Sequence, residues 1–119
     1  MLQASRRITY NENTMIINLR AVGMELTPAI RKYVEEKIGG LEKYDDQILN
    51  ADVDLGLETH HHNKGEIVSC SLTLQLPKDL VKIAKTEKNL YKSVDKVKDH
   101  AREVLSARKE KLRDEKRKA

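Results

Sequence analysis

The chain has 119 residues, of which 35% are charged, with no Trp, no Phe and only four Tyr; this length allows one domain with one aliphatic core and requires no cofactor to fill it. The formal net charge of +4 combines an acidic stretch at Asp46–Glu66 with a basic end at Leu105–Ala119, which favours a polyanion partner about as much as a solvated helix. The single Cys70 excludes an intramolecular disulfide, and the lack of a long apolar run predicts a cytoplasmic protein with no membrane partner.

The first predicted strand and helix lie in the N-terminal third of the chain. Residues 1–14 are polar and aperiodic, and we expect them to form a disordered extension. "MIINLRAV", Met15–Val22, predicts a strand. A helix follows, with Thr27 as its N-cap and Pro28 at its first position. Its apolar stripe consists of Ile30, Val34, Ile38 and Leu41.

Three further strands and a long helix complete the predicted fold. Apolar residues alternate with polar ones from Ala51 to Glu58 and from Val68 to Leu76, and Pro77 and Lys78 allow a turn into a short strand around Val81 and Ile83. From Asn89 the period becomes helical, with an apolar stripe of Leu90, Val94, Val97, Ala101, Val104 and Leu105. The fold class is α+β: a β-α-β-β-β-α two-layer sandwich whose four-stranded sheet carries both helices on one face. The folded domain spans residues 15–113, and residues 114–119 form a basic C-terminal tail.

Cations recur on both helices. On a wheel of the second helix, Lys98, Arg102, Lys109 and Arg113 fall in a narrow band beside the apolar stripe, with Tyr91 in line, and form a rail of roughly 20 Å. Lys92 adds charge elsewhere on this helix, and the first helix contributes Arg31, Lys32, Lys37 and Lys43. Evenly spaced cations suit a phosphate backbone, whereas a lack of exposed aromatic residues argues against the stacking of single-stranded bases. We therefore favour nucleic-acid contact over a merely solvated helix.

The histidine-rich stretch "ETHHHNKGEIVSC" allows a second hypothesis. Glu58, His60 and His62 could hold a metal ion, but a metal site usually needs three or four well-positioned ligands, and a hairpin beside Gly65 positions them loosely. We favour a polar hairpin without a metal. Cys70 faces inward as a small apolar residue, and no pocket or catalytic group accompanies the acids, so neither an enzyme nor a small-molecule substrate is expected.

Three segments resemble the ribosome hibernation promoting factor family, also called the ribosome-associated inhibitor A or sigma-54 modulation protein family. "INLRAVGMELTPAIRKYVEEKIGGLEKY" is similar to its opening, "HHHNKGEIVSCSLTLQLP" to its His-rich hairpin and following strand, and "NLYKSVDKV" to the start of its second helix. Residues at the expected places of the first motif are Asn18, Arg20, Glu25, Thr27, Arg31, Val34, Leu41, Glu42, Lys43 and Tyr44. The likeness runs from about Met15 to Arg113. Many relatives have an aromatic residue in place of Asp45 and an acid in place of Asn89, although Asn89 can still cap the helix.

The resemblance implies a stress or stationary-phase factor that binds the small ribosomal subunit between head and body. Such a factor occupies the decoding region, blocks the mRNA and tRNA sites by steric competition, and uses no cofactor. It also implies a short form without a second domain, which we expect to be a monomer off the ribosome. The candidate rRNA-binding residues are Arg20, Arg31, Lys32, Lys37, Lys43, Tyr91, Lys92, Lys98, Arg102, Arg108, Lys109, Lys111 and Arg113. The alternatives are a general binder of double-stranded RNA or DNA and a metal-binding regulator.

Overall fold

Short-range apolar periodicity determines most of the strands and helices of this chain. The computed structural model describes residues 7–9, 15–59 and 66–118, and the side chains of residues 15–57 and 67–115. In chain order the elements are β1 (Arg7–Thr9), β2 (Ile16–Val22), α1 (Pro28–Gly39), a 3-10 helix (Gly40–Lys43), β3 (Asn50–Thr59), β4 (Glu66–Leu76), β5 (Asp79–Glu87) and α2 (Leu90–Lys118).

The strands form one mixed sheet in the order β1-β2-β3-β4-β5. β2 and β3 are parallel, because α1 lies between them in the chain and returns it to the starting edge. The other neighbouring pairs are antiparallel. The register aligns Arg20 with Asp54, Asp54 with Ser71, and Ser71 with Ala84, so one row of polar and small residues crosses the sheet.

The core lies between the sheet and the two helices. Alternate residues of the strands point toward it, among them Ile17, Val53 and Leu72, and they are almost completely buried. α1 packs on β2, α2 packs on β4 and β5, and the helices contact each other. The predicted β-α-β-β-β-α sandwich with both helices on one face is therefore confirmed in β2–α1–β3–β4–β5–α2, and β1 adds a fifth strand.

Three boundaries differ from the prediction. Arg7–Thr9 form a strand on the edge of β2, inside the segment expected to be disordered, because main-chain pairing needs no apolar side chains. β5 has nine residues instead of a short strand, since it pairs along most of β4. α2 continues to Lys118, so residues 114–118 are helical; Lys, Arg and Glu are favourable helix formers.

The structure describes one of the two predicted connections between strands. Pro77 and Lys78 form the β4–β5 turn as expected, with Lys78 at a φ of 63°. The His60–His62 hairpin lies outside the described residues, so the metal hypothesis stays a prediction. Within the described part of the chain, the helices are too short or too polar to cross a membrane.

Candidate nucleic-acid interface

α1 is positioned by its first turn and its apolar stripe. The Thr27 hydroxyl accepts a hydrogen bond from the backbone N–H of Ile30 at 3.2 Å, and Pro28 occupies the start of the helix as predicted. Val34 and Ile38 are fully buried. This orientation leaves Tyr33 and Lys37 on the flank of α1 that faces α2.

α2 begins at a cap that the sequence also predicts. The Asn89 side-chain oxygen accepts hydrogen bonds from the backbone N–H groups of Tyr91 (2.8 Å) and Lys92 (3.3 Å). One stripe of the helix is then fully buried against the sheet, comprising Val94, Val97, Ala101 and Leu105. Burial of this stripe fixes the rotation of α2, and with it the direction of every cation on the helix.

A polar cluster joins the two helices near the start of α2. The Tyr33 hydroxyl donates to an Asp95 carboxylate oxygen at 2.6 Å, and the Lys37 ammonium lies 3.7 Å from the same oxygen. The Tyr33 and Tyr91 rings meet edge to face with centroids 4.7 Å apart, and the Lys37 ammonium lies 5.5 Å from the Tyr33 centroid. The hydrogen bond to Asp95 is the main reason that the pKa of Tyr33 is raised to about 12, because this contact stabilises the protonated hydroxyl that donates it.

The four rail residues, Lys98, Arg102, Lys109 and Arg113, lie on the same flank of α2. The half-buried Lys98 crosses the end of α1, where a Cβ atom on Gly40 would stand 3.3 Å from its ammonium nitrogen. Arg102, Lys109 and Arg113 are exposed, and the last two line an open cleft with Asp45–Gln47. With a rise of about 1.5 Å per residue, the rail is about 22 Å long.

The other candidate cations occupy several surfaces. On and after α1, Lys32 and Lys43 are exposed, Arg31 is half-buried, and Lys37 is held at Asp95. Lys92 and Lys111 are exposed, but the helical period turns both away from the rail. These residues therefore surround the helix pair without forming one continuous stripe.

Two of the candidate residues are engaged in pairs elsewhere in the fold. Arg20 lies on the sheet face opposite the helices, where its Nε donates to Asp54 at 2.8 Å, and this hydrogen bond raises the pKa of the guanidinium. Arg108 has a side chain only 15% exposed and binds both Asp45 and Asp79. Both residues therefore lie apart from the rail, and their contact with RNA stays a prediction.

The two described carboxylates on the open face of β3 are held by side chains of the neighbouring strand β2. Asp54 is paired with Arg20, and Asp52 accepts a hydrogen bond from the Asn18 amide at 2.9 Å. Sequence reasoning placed the acids on this face correctly, but it could not identify their partners on the parallel strand β2.

Cys70 has the inward position expected for it on β4. It is fully buried in the core, and burial is the main reason that the pKa of its thiol is raised to about 12. The thiolate form that a nucleophile needs is therefore scarce at neutral pH.

Sequence reasoning missed Tyr33 and Asp95, which organise the contact between the helices, and it did not count the lysines of the β5 side among the candidate residues. Lys82 and Lys85 lie on β5 and Lys88 comes directly after it, while Lys96 binds Glu87 and lowers the pKa of that carboxyl. The charge of Lys82, Lys85 and Lys88 is visible in the sequence, but their separation from the rail depends on how α2 packs. Tyr33 and Asp95 are 62 residues apart, and no local pattern links them.

A family model described as Sigma 54 modulation protein / S30EA ribosomal protein matches residues 17–113. Among similar curated proteins, one from Bacillus subtilis is 28% identical over 68% of this chain, and one from Lactococcus lactis is 36% identical over 69% of it. Both are named ribosome hibernation promotion factor. The matched regions cover 41% and 43% of those proteins, so the chain spans less than half the length of the curated relatives it matches.

Two solved structures have a similar fold. The N-terminal domain of Protein Y from Thermus thermophilus is 30% identical, with a TM-score of 0.64, and the match covers 76% of this chain and 91% of that one. A ribosomal subunit interface protein from Coxiella burnetii is 23% identical, with a TM-score of 0.61 over 75% of this chain and 91% of that one. The second likeness concerns the fold alone.

Proposed function

The chain belongs to the Sigma 54 modulation protein / S30EA ribosomal protein family, and on that premise we propose that it binds the small ribosomal subunit through rRNA of the decoding region. Bound there, the folded domain occupies the space of mRNA and tRNA and so inhibits translation. The relatives named ribosome hibernation promotion factor support this role. Both the curated relatives and the family model support ribosome association rather than catalysis, so we propose a non-enzymatic factor of the cytoplasm that needs no cofactor.

The observation that carries the proposal is the rail on α2. Its cations lie beside a fully buried stripe, so packing determines their spacing and direction. Arg102 and Lys109 are exposed and Lys98 is half-buried, and a phosphate backbone is the partner that evenly spaced cations suit. The mechanism is steric, because a rigid domain of this kind competes for space without turnover. Off the ribosome we propose a monomer.

Salt dependence tests the electrostatic part of the proposal. If about six phosphates are contacted, affinity for purified small subunits should fall roughly a thousandfold between about 50 and about 200 mM salt. Co-sedimentation across this salt range measures the effect. Binding that ignores salt, or no binding in dilute buffer, contradicts the proposal.

Charge reversal tests the rail itself. The triple variant Lys98→Glu, Arg102→Glu and Lys109→Glu should release the protein from small subunits, since it replaces three attractions to phosphate by repulsions. The matched control is Lys82→Glu, Lys85→Glu and Lys88→Glu, which changes the net charge equally on the β5 side. We expect the control to bind within about tenfold of the wild type, with each tenfold step equal to about 1.4 kcal/mol. Equal losses in both variants would show that only net charge matters.

A general duplex binder would behave differently. It would bind arbitrary double-stranded RNA as tightly as it binds small subunits at the same salt concentration, because backbone contacts carry no sequence information. A competition experiment between small subunits and arbitrary duplex RNA distinguishes a ribosome-specific factor from a general duplex binder. We expect an excess of arbitrary duplex to displace the protein poorly from small subunits.

A further inference from the structure

Tyr91 is an exposed aromatic residue at the N-terminal end of the rail. The residue is 41% exposed, so the expectation that the protein lacks exposed aromatic residues is wrong at this position. Tyr91 precedes Lys98 by seven residues, which places it about 10 Å further along the same flank of α2. An RNA strand whose phosphates follow the rail therefore reaches this ring next.

The Tyr91 ring is held by neighbours from both helices. Tyr33 meets it edge to face at 4.7 Å, and Tyr33 is itself held by its hydrogen bond to Asp95, one helical turn after Tyr91. The Lys37 ammonium lies 5.5 Å from the centre of the Tyr33 ring. The backbone N–H of Tyr91 is fixed by the Asn89 cap. Little conformational freedom is then left for a ligand to remove on binding.

The surroundings of the ring are suited to a nucleotide. Lys37 is partly exposed beside the aromatic pair, and Lys92 is exposed on the turn that begins at Tyr91. Asp95 is also partly exposed, and its carboxylate can accept hydrogen bonds from the N–H groups of a base edge. The exposed ring offers a surface for the face of a base, and Asp95 offers an acceptor for its edge.

We propose that Tyr91, supported by Tyr33, is a stacking site for one unpaired RNA base at the end of the rail. A base within a duplex has both faces covered by its neighbours, whereas an unpaired base can place one face on an aromatic side chain. This inference rests on the proposed function and adds to it a preference for rRNA with a splayed base over a continuous duplex.

The test uses a single-stranded RNA oligonucleotide that contains one 2-aminopurine, a base whose fluorescence is quenched when it stacks. Wild-type protein should quench the signal, and Tyr91→Phe should quench it equally because the ring is kept. Tyr91→Leu keeps an apolar side chain but removes the ring, so it should abolish quenching and weaken binding about tenfold. Circular dichroism melting confirms that each variant is folded.

Two comparisons decide the outcome. Wild type and Tyr91→Leu should bind a blunt duplex with the same affinity. The ratio of their affinities for single-stranded RNA should not change with salt concentration, because stacking is not electrostatic. Lys92→Ala is the control for a local loss of charge; it should weaken binding but keep the quenching. Quenching that persists in Tyr91→Leu, or a loss of affinity for both single-stranded and duplex RNA, overturns the inference.

Failure of this inference is distinguishable from failure of the proposed function. If Tyr91→Leu behaves as the wild type while the triple reversal on the rail still releases small subunits, the rail is correct and the stacking site is wrong. If the wild type fails to bind small subunits in dilute buffer, the proposed function itself fails.

Discussion

Arg108 is a cation of α2 that the fold uses internally. Its Nε lies 2.9 Å from an Asp79 oxygen, one Nη lies 3.0 Å from an Asp45 oxygen, and the other donates to the Pro77 carbonyl at 3.4 Å. The Asp45 side chain is only 6% exposed. Arg108 therefore ties the loop after the 3-10 helix and the β4–β5 turn to the same point of α2.

Arg108→Ala should lower the free energy of unfolding by about 3 kcal/mol, because it leaves the buried carboxylate of Asp45 without its ionic partner. Urea denaturation at neutral pH measures the change. Arg113→Ala is the control: this exposed residue should alter stability by less than about 0.5 kcal/mol while weakening binding to small subunits. Equal stability of the two variants would contradict the internal role of Arg108.

The stabilities of the wild type and of Arg108→Ala should respond differently to acid. The hydrogen bond from Arg108 is the main reason that the pKa of Asp79 lies below its ordinary value of 3.8. A lowered carboxyl pKa contributes stability that is complete above the ordinary value and is lost as the pH falls through the folded value. The advantage of the wild type over Arg108→Ala should therefore stay constant down to about pH 5 and narrow as the pH falls below 3.8 and through the lowered pKa of Asp79. If urea titrations give the same difference in unfolding free energy between the two proteins at neutral pH and at about pH 3, this prediction is wrong.

At the scale of elements, two glycines end neighbouring segments for different reasons. Gly23 closes β2 with a φ of +77°, and a Cβ atom there would lie 2.8 Å from the Leu57 carbonyl oxygen. Gly40 lies just after α1 with a φ of −65°, and a Cβ atom there would meet only the flexible end of Lys98. The first position requires glycine, whereas the second only favours a small side chain.

Gly23→Ala should therefore destabilise the protein by about 1–3 kcal/mol, since it combines an unfavourable φ with a backbone clash. Gly40→Ala should be neutral or stabilising by up to about 1 kcal/mol, because alanine favours helical backbone and Lys98 can move by a few tenths of an ångström. Thermal melting of the two variants gives the comparison. Similar losses at both positions would mean that the Lys98 side chain cannot adjust.

At the scale of the whole molecule, charge is divided between the two sides of the sheet. The open side pairs its acids with Arg20 and Asn18, while the helical side carries the rail. Among the side chains that the structure describes, the row of cations that a polyanion could follow lies on the helical side, and its direction is set by the axis of α2.

Deleting residues 1–14 tests whether the domain depends on its N-terminal strand. The described buried apolar residues begin at Met15, so the core should remain, and the loss of the β1 pairing should lower stability by no more than about 2 kcal/mol. Binding to small subunits should be unchanged, because the rail lies on α2. Chemical denaturation and co-sedimentation measure both quantities, and an unfolded product would show that β1 is essential.

The sequence by itself determined the features that depend on neighbours a few residues away. The strand alternation, the apolar stripes of α1 and α2, and the band of rail cations follow from repeats of two or 3.6 residues. The caps at Thr27 and Asn89 follow from the residue type that precedes each helix. The family resemblance carried by three local motifs was likewise visible from the sequence, because a motif needs no knowledge of packing.

Only the tertiary structure decided which charges remain available. Arg20 and Arg108 have the same charge as Arg102, yet carboxylates from distant parts of the chain bind the first two. The contact of Tyr33 with Asp95 and the parallel pairing of β2 with β3 likewise join segments far apart in sequence. Local periodicity assigns a residue to a face but not to a partner, because the partner depends on how whole elements pack.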